Sequence, residues 1–124
     1  MSQKILIVDD DPSTIRLVSK LLLGQGYQVI SAENGMEALV KIKKEKPDLV
    51  VLDVMMPEIN GYDVCYQLRF NKEFEHIPII LLTIREQELD ENLAKRADIE
   101  YLPKPLNTNN FFEKIALLLP KKKT

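Results

Sequence analysis

Lys4-Ile5-Leu6-Ile7-Val8-Asp9-Asp10-Asp11 stands near the start of the chain, and Leu49-Val50-Val51-Leu52-Asp53 repeats its form, an unbroken apolar run closed by carboxylates. A strand of four or five apolar residues has both faces buried, as in a parallel sheet covered by helices. Ligands in such sheets sit beyond the carboxyl ends of the strands. Asp9, Asp10 and Asp53 are therefore expected at one edge. Crowded like charges are costly unless a cation or a proton relieves them. The simplest relief is a divalent metal that prefers oxygen ligands.

Outward from these runs the chain reads as strands alternating with helices. The first strand covers 4–8, and Pro12 suits the first turn of a helix over 12–24, with Ile15, Val18, Leu21 and Leu22 on one face and Gly24 and Gly26 ending it. Tyr27 to Ala32 is a second strand, Asn34-Gly35 a turn, and Met36, Leu39, Val40 and Ile42 mark a helix over 36–45 that Pro47 stops. After the strand at 49–53, Pro57 and Asn60-Gly61 punctuate a loop, and a helix over 61–71 turns Val64, Cys65 and Leu68 inward. Ile79 to Leu82 is the fourth strand, 86–96 a weaker fourth helix, and Tyr101-Leu102 a short fifth strand. Thr108 or Asn109 caps a last helix carrying Phe111, Phe112, Ile115, Ala116 and Leu119. Strand–helix–strand units cross over right-handedly and give a parallel sheet with helices on both faces. Doubly wound sheets of five strands commonly take the order 2-1-3-4-5, which puts strands one and three side by side.

The 124 residues fit one domain, and 45% hydrophobic with 29% charged residues is ordinary globular composition. Residues 1–120 are expected to form that domain, with 121–124 a disordered basic tail. A net charge of −2 leaves no footprint for direct nucleic-acid binding. The one cysteine rules out an internal disulfide and agrees with a reducing, cytoplasmic location. The first apolar run is too short for a signal-peptide core or a membrane span.

Thr83 closes the fourth apolar run and Lys104 follows the fifth strand. Together with Asp9, Asp10 and Asp53 they set five chemical side chains at the ends of four strands. This constellation closely resembles the receiver domain of bacterial two-component response regulators. The resemblance rests on Ile5-Leu6-Ile7-Val8-Asp9-Asp10-Asp11-Pro12, Pro47-Asp48-Leu49-Val50-Val51-Leu52-Asp53-Val54-Met55-Met56-Pro57, Asn60-Gly61, Leu82-Thr83 and Tyr101-Leu102-Pro103-Lys104-Pro105, and spans about residues 3–119.

The resemblance implies a flavodoxin-like doubly wound (βα)5 fold with a five-stranded parallel sheet in the order 2-1-3-4-5. It implies Asp53 as phosphoacceptor, and Asp9, Asp10, Asp53 and the Met55 carbonyl as holders of Mg²⁺. Thr83 would donate its hydroxyl to a phosphoryl oxygen, Lys104 would pair with Asp53 or the phosphoryl group, and Tyr101 would be an aromatic switch. The Lys104-Pro105 bond would be cis. The implied partners are a sensor histidine kinase or histidine phosphotransfer protein and a downstream target or output domain. That output is reached through the face of the fourth helix, fifth strand and last helix. The implied role is a signalling switch that catalyses only its own phosphotransfer and dephosphorylation, with no membrane partner. A homodimer, and a stand-alone chain against a receiver cut from a longer one, are left open.

Simple charge counting agrees with these roles. Three carboxylates, Mg²⁺ and Lys104 sum to zero, and a phosphoryl group of up to about −2 on Asp53 tips the balance to about −1. New hydrogen bonds must then hold the added oxygens, and Thr83 is the available donor. Taken singly, Asp9 would read as a helix cap and Lys104 as a surface lysine. Asp11 reads as a cap, His76 as a structural or exposed loop residue, and Cys65 as a small buried apolar one.

Three rival classes fit the sequence less well. An aspartyl-nucleophile phosphatase wants a second Asp two residues after the nucleophile, where Met55 stands. A nucleotide or flavin binder wants backbone N–H and hydroxyl groups in the first loop, where Asp9-Asp10-Asp11 offers negative charge. A receiver-shaped interaction module that is never phosphorylated is disfavoured by the full set of site residues.

Some positions depart from the family pattern. The stretch Arg96-Ala97-Asp98-Ile99-Glu100 lacks the usual glycine, Pro103 sits beside the switch, and Leu106 replaces a frequent aromatic residue. Ile84 stands where a small residue is usual, and a branched side chain there would narrow the approach of water to Asp53. Ile84→Ala is therefore expected to shed its phosphoryl group faster than the parent. Equal decay of the two phosphorylated forms would reject that role for Ile84.

Overall fold

The computed structural model describes residues 3–54, 56, 61–83, 99–104 and 106–119. The fourth helix expected over 86–96, together with Ile84, Met55, Pro57, Asn60, Pro105 and the tail, lies outside the described residues.

Five strands form one sheet: β1 (Lys4–Val8), β2 (Gln28–Ala32), β3 (Leu49–Asp53), β4 (Ile79–Thr83) and β5 (Ile99–Pro103). Their order is β2-β1-β3-β4-β5 and every pairing is parallel. Four helices stand among the described residues: α1 (Pro12–Gly24), α2 (Gly35–Glu45), α3 (Gly61–Arg69) and a C-terminal helix (Thr108–Leu118). None of the described helices is long and apolar enough to cross a membrane.

Side-chain alternation splits the strands between two core layers. Leu6, Val8, Val50, Leu52, Ile79 and Leu81 pack with Ala38, Ile42, Val64 and Leu68 of α2 and α3. Ile5, Ile7, Leu49, Val51, Ile80 and Leu82 pack with Val18 and Leu22 of α1 and with Phe111 and Ile115 of the C-terminal helix. The central strands are apolar throughout because both of their faces are covered.

Helix ends follow local chemistry, sometimes one residue away from expectation. Asp11 caps α1, accepting from the Ser13 N–H at 2.9 Å and the Ser13 hydroxyl at 2.6 Å. Those bonds hold its carboxyl below the usual carboxylate range. Asn34-Gly35 is not a free turn: Asn34 caps α2 by accepting from the Glu37 N–H at 2.8 Å, and Gly35 is already helical. The last helix is capped by Asn107, not Thr108 or Asn109, through the Asn110 N–H at 3.0 Å. An Asx side chain three residues before a free N–H satisfies it, and Asn107 holds that spacing to Asn110.

Strand β5 is longer than Tyr101-Leu102, because Ile99 and Glu100 also pair with β4. Helix α3 ends at Arg69 rather than 71. Arg69 is buried, donating to the carbonyls of Glu75 at 3.0 Å and Ile77 at 2.8 Å, and so closes the connection to β4.

Three of the apolar residues that mark these helices face outward. Met36 is 57% and Val40 62% exposed, while Ala38 and Ile42 carry the buried stripe of α2. Ala116 is exposed as well. Hydrophobicity does not choose among the apolar residues of a helix; its phase is set by which stripe meets the sheet.

Phe111→Ala is expected to cost about 3–5 kcal/mol, because it empties a fully buried site. Met36→Ala is expected to stay within about 0.5 kcal/mol of the parent. Urea unfolding of both variants checks the assignment of the two faces.

Candidate functional site

Parallel register brings the ends of β1, β3, β4 and β5 to within two residues of one another. Val8 pairs with Leu52, Asp53 with Leu82, and Thr83 with Pro103. Residues at or just beyond these ends therefore share one edge. The Asp9 N–H donates to the Ala32 carbonyl at 3.2 Å, which keeps the chain on the sheet for one residue past β1. The Val54 N–H donates to the Leu82 carbonyl at 3.0 Å, and the Lys104 N–H to the Thr83 carbonyl at 2.9 Å.

Asp9 is 1% exposed and Asp53 4%, both far more buried than carboxylates usually are. Asp10, next in sequence, is exposed. Carboxylate oxygens of Asp9, Asp10 and Asp53 lie within 4.8 Å of one another. One cation meets this charge from the side: Lys104 Nζ lies 3.1 Å from Asp9 Oδ2 and 3.4 Å from Asp53 Oδ1. The other oxygen of Asp9 accepts from the Asp11 N–H at 2.9 Å. Burial of Lys104 opposes its charge. The hydrogen bond to Asp9 and the fields of Asp53 and Asp9 outweigh burial, so its pKa stands above the ordinary lysine value.

The donor set suits a hard cation. It offers only carboxylate oxygens, two from buried residues and one from an exposed residue. A small divalent ion that keeps several waters is commonly held by one or two protein carboxylates. Thr83 is buried at the end of β4. Tyr101 is half-buried, lies opposite Leu81, and packs against the core layer of α2 and α3. Met55, implied as a carbonyl ligand, lies outside the described residues.

The sequence gives Gly61 as loop punctuation at the head of the helix over 61–71. It opens α3, and its N–H donates to the Val54 carbonyl at 3.1 Å, beside Asp53. A groove of about 260 Å³ between α2 and α3, lined by Met36, Val40, Gln67 and Phe74 among others, contains none of the clustered carboxylates.

The family model of the response regulator receiver domain matches residues 5–116. The alkaline phosphatase synthesis transcriptional regulatory protein PhoP of Bacillus subtilis is 41% identical over 120 residues, which are 96% of this chain and 49% of PhoP. Protein PilH of Pseudomonas aeruginosa is 37% identical over 117 residues, 94% of this chain and 97% of PilH. The chain thus spans about half the length of the first relative and nearly all of the second. The crystal structure of response regulator TrrA from Thermotoga maritima, in complex with Mg(2+)-BeF, is 38% identical with a TM-score of 0.83, covering 94% of this chain and 99% of that one.

Because the folded pKa of Lys104 is raised above its ordinary 10.5, its pairing stabilises the fold fully below that pH. The contribution is lost as pH rises through the raised value. Lys104→Met, in metal-free buffer, is expected to lower the unfolding midpoint at neutral pH. The gap to the parent should then narrow in strong alkali. A gap that does not change with pH would separate Lys104 from this balance.

Proposed function

Because the chain belongs to the response regulator receiver domain family, we propose that it is a phosphorylation-dependent switch that takes a phosphoryl group onto Asp53. The observation that carries this reading is the position of Lys104 Nζ, 3.1 Å from Asp9 and 3.4 Å from Asp53, beside a carboxylate cluster open at Asp10. Asp53 is the nucleophile: its carboxylate oxygen forms the new P–O bond as the P–N bond of a donor phosphohistidine breaks, with that electron pair returning to the imidazole. Lys104, already between two carboxylates, stabilises charge on the phosphoryl oxygens. Thr83 donates its hydroxyl to one of them, and Tyr101 turns inward with it.

Asp9, Asp10 and Asp53, with the Met55 carbonyl, are the residues that would hold Mg²⁺. When bound, the ion supplies charge neutralisation for the transferring group. The Mg(2+)-BeF complex of TrrA supports that assignment. Phosphoryl transfer passes through a loose transition state, so positioning and charge carry most of the catalysis.

The proposed donor is a sensor histidine kinase or histidine phosphotransfer protein. The output is a partner or attached domain read through the face containing β5 and the C-terminal helix. The proposed organisation is one receiver domain over residues 1–120, acting in the cytoplasm.

Acetyl phosphate with Mg²⁺ is expected to add one phosphoryl group to the parent and none to Asp53→Asn, with chelator abolishing the reaction. Intact mass reads the result. A parent that stays folded and takes up nothing would return the chain to the class of unphosphorylated interaction modules.

A further inference from the structure

A Cβ placed on Gly61 would lie 2.5 Å from the backbone oxygen of Asp53, 3.0 Å from Cα of Val54 and 3.1 Å from the carbonyl carbon of Asp53. All three neighbours are main chain, so no side chain can swing aside to make room. Around Gly24, by contrast, the same construction meets nothing within 4 Å. The demand for glycine at 61 therefore comes from close approach to the peptide that leaves Asp53.

That peptide is held from two directions. On one side the Val54 N–H donates to the Leu82 carbonyl of β4 at 3.0 Å. On the other, the bare Cα of Gly61 lies against the Asp53 carbonyl, and the Gly61 N–H donates at 3.1 Å to the carbonyl of the next peptide, that of Val54. Asp53 is the last residue of β3, so past the Val54 bond to Leu82 the ladder no longer defines the main chain. The start of α3 takes over that task at the residue whose side chain faces Lys104.

Non-bonded carbon contacts are optimal at about 3.5–4.0 Å. A side chain at 61 must therefore push either the helix start or the Asp53–Val54 peptide by about an ångström. A displacement of that size at a reacting group costs on the order of 10²-fold in rate.

We propose that Gly61 is a positioning residue for phosphoryl acceptance: its missing side chain lets the start of α3 seat directly on the Asp53–Val54 peptide and fix the direction of the acceptor carboxylate. The inference rests on Asp53 being the acceptor. Gly61 touches no phosphoryl donor, so its loss acts on the maximal rate and not on donor binding.

The test compares three proteins reacting with acetyl phosphate and Mg²⁺, followed by intact mass at increasing acetyl phosphate. They are the parent, Gly61→Ala, and Val64→Ala, which empties a buried site on the same helix about one turn further on. Each is assayed at the same interval below its own thermal midpoint. The maximal rate constant of Gly61→Ala is expected to fall at least about tenfold. Its half-saturating acetyl phosphate concentration should stay within about twofold, and Val64→Ala should keep the parental maximum. A parental maximum in Gly61→Ala, or an equal fall in Val64→Ala, overturns the proposal.

Should Gly61→Ala show no cooperative unfolding, one glycine inserted between Asn60 and Gly61 replaces it. This keeps the helix sequence and releases the seat. A slowed maximum there supports the role, and a parental one overturns it. A parent that accepts no phosphoryl group overturns the functional reading and this inference with it.

Discussion

One ammonium group between two buried carboxylates organises this molecule's chemical edge. Asp9 and Asp53 are nearly inaccessible to water, so their charges lack the solvent screening that makes surface acids harmless. Lys104 Nζ is within 3.4 Å of both. Its side chain remains about one quarter exposed, so the pairing is neither a fully buried ion triad nor a surface bridge. Such a site is balanced but open, with Asp10 on its exposed side. Added negative charge on Asp53 would have to be met by a rearrangement, and a switch needs that property.

The fold supplies the balance through parallel register. Three separate segments, ending near residues 9, 53 and 104, converge because β1, β3, β4 and β5 stop within two residues of one another in register. The apolar strands behind them are covered on both faces by two core layers, which leaves the polar ends as the place where the sheet meets water. The main-chain bond from Lys104 to the Thr83 carbonyl ties the cation to the strand that carries the proposed hydroxyl donor. Displacement at either residue is therefore felt by the other.

Much of this is legible in the sequence. Strand β3 matches its expected residues because four consecutive apolar residues bounded by Asp48 and Asp53 admit few other readings. Asp11 was read as a cap, and its bonds to Ser13 agree. Other features were ambiguous for physical reasons. Asn107, Thr108 and Asn109 are all capping residues, and only the path of the backbone selects Asn107. Met36 and Val40 have the chemistry of core residues, yet α2 rolls Ala38 and Ile42 onto the sheet instead. Arg69 has the chemistry of a surface charge, yet the 70–77 segment folds back to offer it two carbonyls.

By itself the sequence determined the alternation of strands and helices, the apolar strands and the identities of the five chemical side chains. These are written in contiguous runs and short motifs, where local periodicity and residue type suffice. Only the tertiary structure decided that Lys104 sits nearer Asp9 than Asp53, that Gly61 lies against the main chain of Asp53, and which apolar residues of α2 stay in water. Each depends on distances between segments far apart in the chain, which arise from packing and register rather than from any local preference.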